Sequence, residues 1–304
     1  MNAVKLEENN FSLLFLILPT IFLIISYLFY PNILSYSDQQ LLGIPLFIGL
    51  ILLLIGFAYK KEFIAGWLKI FGWIVFAFFW SSQFKSFYFA EGGDFVNAFI
   101  CIVGVYVLFY IAYREWFSIQ KKETIGCLNW IAGASAIAGI IYYGFELTPL
   151  KDWLIEIVAA QSGWLLNIFT GTITVQNDVI LHNDSYVVTI IFACTAVQSM
   201  VIFVGMILAL KNVEKKRMLY GFLVTVVPIY FLNLIRNASI VYLLAYDITD
   251  FSTAHNVIGK GGSLIALIVL LFIVIKFVPE VFDEIMCLTD LPKRKGPIER
   301  LFKK

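Results

Sequence analysis

Cysteine, arginine and histidine each occur once in this chain in settings that fit a thiol active site. Cys194 lies in Phe192-Ala193-Cys194-Thr195-Ala196-Val197-Gln198-Ser199-Met200, and Arg236 in Asn233-Leu234-Ile235-Arg236-Asn237. His255 lies in Ser252-Thr253-Ala254-His255-Asn256. A thiol attacks as its thiolate, which a neighbouring cation or base promotes. Cys194 is the candidate nucleophile, adding to a carbonyl carbon to give a thioester. His255 is the candidate acid and base, because an imidazole of ordinary pKa about 6.5 can take the thiol proton and return it to a leaving amine. Arg236 is the candidate stabiliser of the thiolate or the tetrahedral oxyanion, since guanidinium keeps its charge when buried. Thr195, Gln198 and Ser199 are candidate supporting hydrogen-bonders, with Gln198 one helical turn from Cys194 on the same face. Of the asparagines flanking Arg236, Asn233 is expected to share its face and orient it, with Asn237 as a second support.

The elements that must hold these residues are membrane spans. Of the 304 residues 61% are hydrophobic and 14% charged, against about 25% charged in a soluble domain. The net charge of +1 gives no field for nucleic acid. Spanning about 30 Å takes 17–25 apolar residues, and eight runs qualify: 11–30, 41–59, 63–81, 95–113, 124–144, 187–209, 218–246 and 257–275. The first is too long for the apolar part of a cleaved signal and has no small-residue cleavage site after it. The expected fold is therefore an all-α polytopic membrane protein, one transmembrane domain over 1–304.

Lysine and arginine set the orientation. With the N-terminus in the cytoplasm, 17 of them fall on inner segments, including Lys5, Lys60, Lys61, Lys215, Lys216 and the basic tail 276–304 with Lys303 and Lys304. Only Lys85, Lys151 and Lys260 fall outside, while Lys69 and Arg236 lie within spans. Both termini are thus expected inside a cell membrane, and the tail at 293–304 reads as a solvated topology signal. Cys194 would sit seven residues into the sixth span, roughly 10 Å deep, and Arg236 ten residues from the end of the seventh, roughly 15 Å. His255 would lie at the outer mouth of the eighth. All three fall in the outer half, so the site faces the extracytoplasmic side.

The longest outer segment, 145–186, is an insertion before the sixth span. Leu150 to Ile168 has helical apolar spacing with Trp153 and Trp164 as anchors, as in an interfacial helix. Gly171 to His182 reads as a β-hairpin turning at Asn177-Asp178. Asn183-Asp184-Ser185 matches a glycosylation sequon close to the membrane. His182 is a reserve base, and Asp247 and Asp250 are candidates to orient His255. Cys101 and Cys127 read as small hydrophobes, and with no cysteine in an outer loop no disulfide framework is expected. No metal or organic cofactor is suggested. A different class, a transporter or lipid-handling protein using Arg236 to bind an anion, would favour repeated halves and broken spans. Pro19, Pro45 and Pro228 show no such pairing.

The segment Ala-Cys-Thr-Ala-x-Gln-Ser-Met at 193–200, Asn-x-x-Arg-Asn at 233–237 and the following His255 resemble the exosortase/archaeosortase family. The likeness is concentrated in a catalytic core segment, 187–260. Bacterial exosortases typically follow the cysteine with a Ser-Gly-like stretch, absent here, and the Thr-Ala-x-Gln form is similar to the archaeal branch. The resemblance implies a membrane cysteine protease-transpeptidase. Its partners would be secreted proteins with a C-terminal sorting signal: a Pro-Gly-Phe-like motif, a transmembrane helix and a basic tail. It would pass their new C-terminus to a membrane lipid.

Overall fold

A computed structural model describes residues 2–89 and 94–302; Lys303, Lys304 and the side chain of Lys5 lie outside what is described. The chain forms two compact units, residues 1–136 with 283–304, and residues 137–282. Among the described residues seven helices are long and apolar enough to cross a membrane. The protein is a polytopic helical membrane protein with one small antiparallel sheet.

The first unit is built on α1 (Asn2–Phe29), α2 (Tyr36–Ala58), α3 (Glu62–Phe89) and α4 (Phe95–Lys121), with the start of α5 (Gly126–Glu146). Helices α3 and α4 run about two turns beyond their predicted spans. A charge in hydrocarbon must be paired, and both lysines of α3 are. Lys69 meets Glu115 of α4 at 2.8 Å. Lys85 donates to the carbonyls of Tyr27 and Tyr30 at 2.9 and 2.7 Å, closing the C-terminal end of α1.

Two expectations fail in this unit. The tail is not a solvated signal. After α10 (Glu280–Asp290) the chain continues into α11 (Pro297–Phe302), whose Glu299 is buried. That carboxylate accepts from Arg114 (3.0 Å), Tyr110 (2.8 Å) and Tyr113 (3.0 Å) of α4. Its charge needs those partners, so the segment is docked, although Lys293, Arg294, Lys295 and Arg300 stay exposed. The absence of a disulfide is also overturned: Cys127 and Cys287 are bonded across 160 residues. Considering outer loops alone missed it, because the pair joins a helix start to the tail.

The second unit carries the candidate site. Helix α6 (Leu150–Thr170) matches the predicted insertion helix. Its Ile155, Val158, Ala159 and Leu166 enter an apolar core, while Trp153, Trp164 and Phe169 are exposed on the other side. The predicted hairpin is a three-stranded sheet, β1 (Ile173–Gln176), β2 (Val179–His182) and β3 (Ser185–Thr189), in sequence order. Asn177 takes φ 55° in the first turn, and Asn183 and Asp184 take φ 50° and 61° in the second. Asparagine and aspartate tolerate this conformation because their short polar side chains bond locally. Asn167 of α6 grips the sheet, donating to the Ile173 carbonyl (2.9 Å) and accepting its N–H (3.0 Å). Gly163 lets Val175 lie on α6, where a Cβ would overlap a Val175 methyl.

The sixth predicted span, 187–209, is corrected. Its first residues belong to β3, a 3₁₀ turn follows at Phe192–Thr195, and the helix that remains, α7 (Val197–Leu208), has 12 residues. At 1.5 Å per residue it is about 18 Å long, short of a full crossing. The long α8 (Lys215–Ala245) follows, then a π-helical turn at Thr253–Gly259 and α9 (Lys260–Phe277).

Candidate active site

Cys194 is not inside a helix. It lies on the 3₁₀ turn, its N–H bonded to the Ile191 carbonyl at 2.8 Å. Phe192 anchors this turn in the core, its ring 5.3 Å from that of Tyr142 on α5. The Thr195 hydroxyl donates to the Phe192 carbonyl at 2.7 Å and is fully buried. Ala196 then takes a left-handed conformation, φ 60° and ψ 7°. Such a conformation costs a residue with a Cβ roughly 1–2 kcal/mol. It separates the turn from α7, whose opening bond runs from Met200 N–H to the Ala196 carbonyl. Ala196 supplies no side-chain cap. The free, half-buried Cys194 therefore precedes the head of α7, separated from it by the break at Ala196.

The break also turns the Cys194 carbonyl towards α8, where two amides receive it. Asn233 donates to it from Nδ2 at 2.8 Å and Asn237 at 3.0 Å. Both asparagines are buried, 7% and 3% exposed, so these bonds satisfy groups that water does not reach. Sequence reasoning aimed Asn233 at Arg236, whereas both amides go to Cys194. Arg236 lies between them in sequence, on the same helix that holds the Cys194 carbonyl. Among the described residues its buried Nε has no hydrogen-bond partner.

Behind Arg236 lies Gly259, the last residue of the π-helical turn. A Cβ there would stand 3.1 Å from Arg236 Nε and 2.9 Å from Ile240 Cδ1. No sequence rule singled out Gly259, one of three glycines at the start of the eighth predicted span. π-Helical turns are rare and are often found at functional sites. This one also carries His255, which is half-buried and stacked on Phe251 at 5.2 Å with the rings 9° apart. The turn packs on α8, so His255 and Arg236 belong to elements in contact.

Other candidates lie apart from this arrangement. Gln198 is exposed on α7, and the break at Ala196 removes it from any helix shared with Cys194; Ser199 is half-buried. His182 packs against Tyr246 at the end of α8, 5.0 Å between rings, and is hydrogen-bonded to Asn183. Asp250 caps the π-helical turn that carries His255, accepting from the Thr253 hydroxyl (2.7 Å) and N–H (3.0 Å). Those bonds, the hydroxyl first, hold its carboxyl below the usual carboxylate range.

A thiol at a helix head beside an intramembrane guanidinium, in a polytopic membrane protein, defines a class of membrane thiol enzymes. The family profile described as Transmembrane exosortase (Exosortase_EpsH) matches residues 8–274, and the chain belongs to this family. At that level it is a membrane sorting transpeptidase of the cysteine type. The chain is similar to Archaeosortase A of Haloferax volcanii, 24% identical over 252 residues covering 70% of this chain and 80% of that protein. It is similarly related to Archaeosortase A of Natronomonas pharaonis, 24% identical over 246 residues covering 69% and 75%. No solved structure matches it.

Proposed function

We propose that this protein cleaves a C-terminal sorting signal from secreted proteins and transfers the new C-terminus to a membrane lipid, with Cys194 as nucleophile. The observation that carries this reading is that Asn233 and Asn237 tie the Cys194 backbone, just ahead of α7, to the helix that bears Arg236. His255 takes the thiol proton. The sulfur adds to the scissile carbonyl, and the oxyanion that forms is stabilised by Arg236. The C–N bond then breaks, the leaving amine receives the proton from His255, and a thioester remains on Cys194. Attack by a lipid nucleophile, which gives up its proton to His255, forms the new ester or amide and frees the thiolate. Thr195 supports this site by fixing the 3₁₀ turn.

The lysine and arginine asymmetry supports cytoplasmic termini and an active site on the extracytoplasmic side, where a secreted substrate arrives. A substrate signal of a Pro-Gly-Phe-like motif, a helix and a basic tail would place its scissile bond at the same level. The test is to co-express a secreted protein carrying such a signal with the wild type or with Cys194→Ser, and to analyse its C-terminus by mass spectrometry. Loss of cleavage and of the lipid adduct, with the variant still in the membrane, is the expected result. Unchanged processing would remove Cys194 from the role and return the anion-binding transporter to the front.

A further inference from the structure

We infer that Asn233 and Asn237 are positioning residues that aim the Cys194 thiol at Arg236 by holding the Cys194 carbonyl between their two amides. The inference rests on the proposed role of Cys194 and extends it to residues that never touch substrate.

A carbonyl at the end of a 3₁₀ turn is ordinarily taken up by the next turn of helix or by water. Here the left-handed Ala196 breaks the path into α7. The carbonyl meets two buried side-chain donors instead, at 2.8 and 3.0 Å. A carbonyl oxygen has two lone pairs, and two donors occupy both. A peptide unit fixed in this way cannot rotate, so the Cα–Cβ bond of Cys194 leaves it in one direction. Both donors come from α8, spaced i and i+4 on one face, and Arg236 rises from the same helix between them. Thiol and guanidinium are thus referenced to one rigid element, with Gly259 setting how closely the next turn approaches the arginine. Without the amides, a part-buried acceptor is left unpaired. The turn would rotate to find another partner, and the sulfur would leave the guanidinium.

The test needs no substrate. The full-length chain is extracted in detergent, and alkylation of Cys194 by iodoacetamide at fixed pH is timed by mass spectrometry of its peptide. Wild type is compared with Asn233→Leu, Asn237→Leu, Arg236→Gln and the Asn237→Leu/Arg236→Gln pair. Asn237→Ser serves as a milder variant should the leucine forms not elute as folded protein. Arg236→Gln is expected to slow alkylation about tenfold, through loss of the cation beside the thiol. Each asparagine variant is expected to slow it about three- to tenfold, and the pair no more than Arg236→Gln alone, because the asparagines act through that arginine. Rates equal to wild type, an additive loss in the pair, or faster alkylation would each overturn the inference. The last would show that the amides only keep the backbone closed. In a processing assay the asparagine variants are expected to lower kcat with KM nearly unchanged. If Cys194→Ser leaves processing intact, the functional reading fails while the alkylation rates still decide the role of the amides.

Discussion

Replacing Arg236 by glutamine removes a charge from the helix that holds the Cys194 carbonyl, and kcat for signal processing should fall about 10²–10³-fold, the scale of losing an oxyanion donor. Lysine keeps a charge but not the planar fork, so Arg236→Lys should recover only part of that loss. Gly259→Ala is a subtler probe. Its Cβ would stand 3.1 Å from Arg236 Nε and 2.9 Å from Ile240 Cδ1, so the arginine or the turn must move. Activity should drop about tenfold while the protein elutes and melts like wild type; full activity would show that the arginine has room to adjust. At this scale Cys194, Arg236 and His255 could be picked out as candidates because polar side chains stand out in a chain so apolar. The partners of Asn233 and Asn237 were not. Helical angles relate residues on one helix, but they cannot show that both amides reach a backbone carbonyl 39 and 43 residues away.

The sixth predicted span shows where hydropathy stops informing at the scale of elements. Tyr186, Val188 and Thr189 are apolar enough to extend a span, yet they pair with β2, with Val187 at a bulge between them, because they are β-branched and aromatic and follow a tight turn at Asn183-Asp184. The break at Ala196 left no trace in the sequence, since alanine favours helix and is an unusual residue at positive φ. Ala196→Gly should therefore raise thermal stability, by about 0.5–1 kcal/mol, because the steric cost of a left-handed Cβ is removed. Ala196→Val should lower it, and a melting curve of each purified variant distinguishes the two signs. By contrast, α6 was readable from its spacing. Its apolar stripe packs on the protein core, and Trp153 and Trp164 remain on the exposed side.

Over the whole molecule, the chain is tied to itself at both ends of α10. The Arg217 side chain forks onto Glu280 with bonds of 2.7 and 2.8 Å and holds that carboxyl below its ordinary value. A carboxyl depressed in the folded state contributes stability that is complete above its unfolded pKa of about 4.3 and is lost as the pH falls through the folded value. Melting temperature should decline on acidification below that point, and Glu280→Gln should flatten this part of the curve. Beyond α10, Glu299 neutralises Arg114, which is 2% exposed. Glu299→Ala leaves that cation unpaired and should cost about 3–5 kcal/mol, visible as a lower melting temperature or loss of folded protein. A variant that melts like wild type would contradict the docking of the tail. Charge counting predicted a free tail because it registers the exposed lysines and arginines and overlooks one acid that finds buried partners.

The most direct test of the account is to catch the acyl-enzyme. The protein is incubated with a substrate carrying the Pro-Gly-Phe-type signal, acid-quenched within a turnover, digested and analysed by mass spectrometry. The account predicts the new C-terminal fragment of the substrate attached to Cys194, released by hydroxylamine as a thioester is, and absent from Cys194→Ala. Cleavage that proceeds with no adduct on Cys194, or that persists in Cys194→Ala, would contradict it.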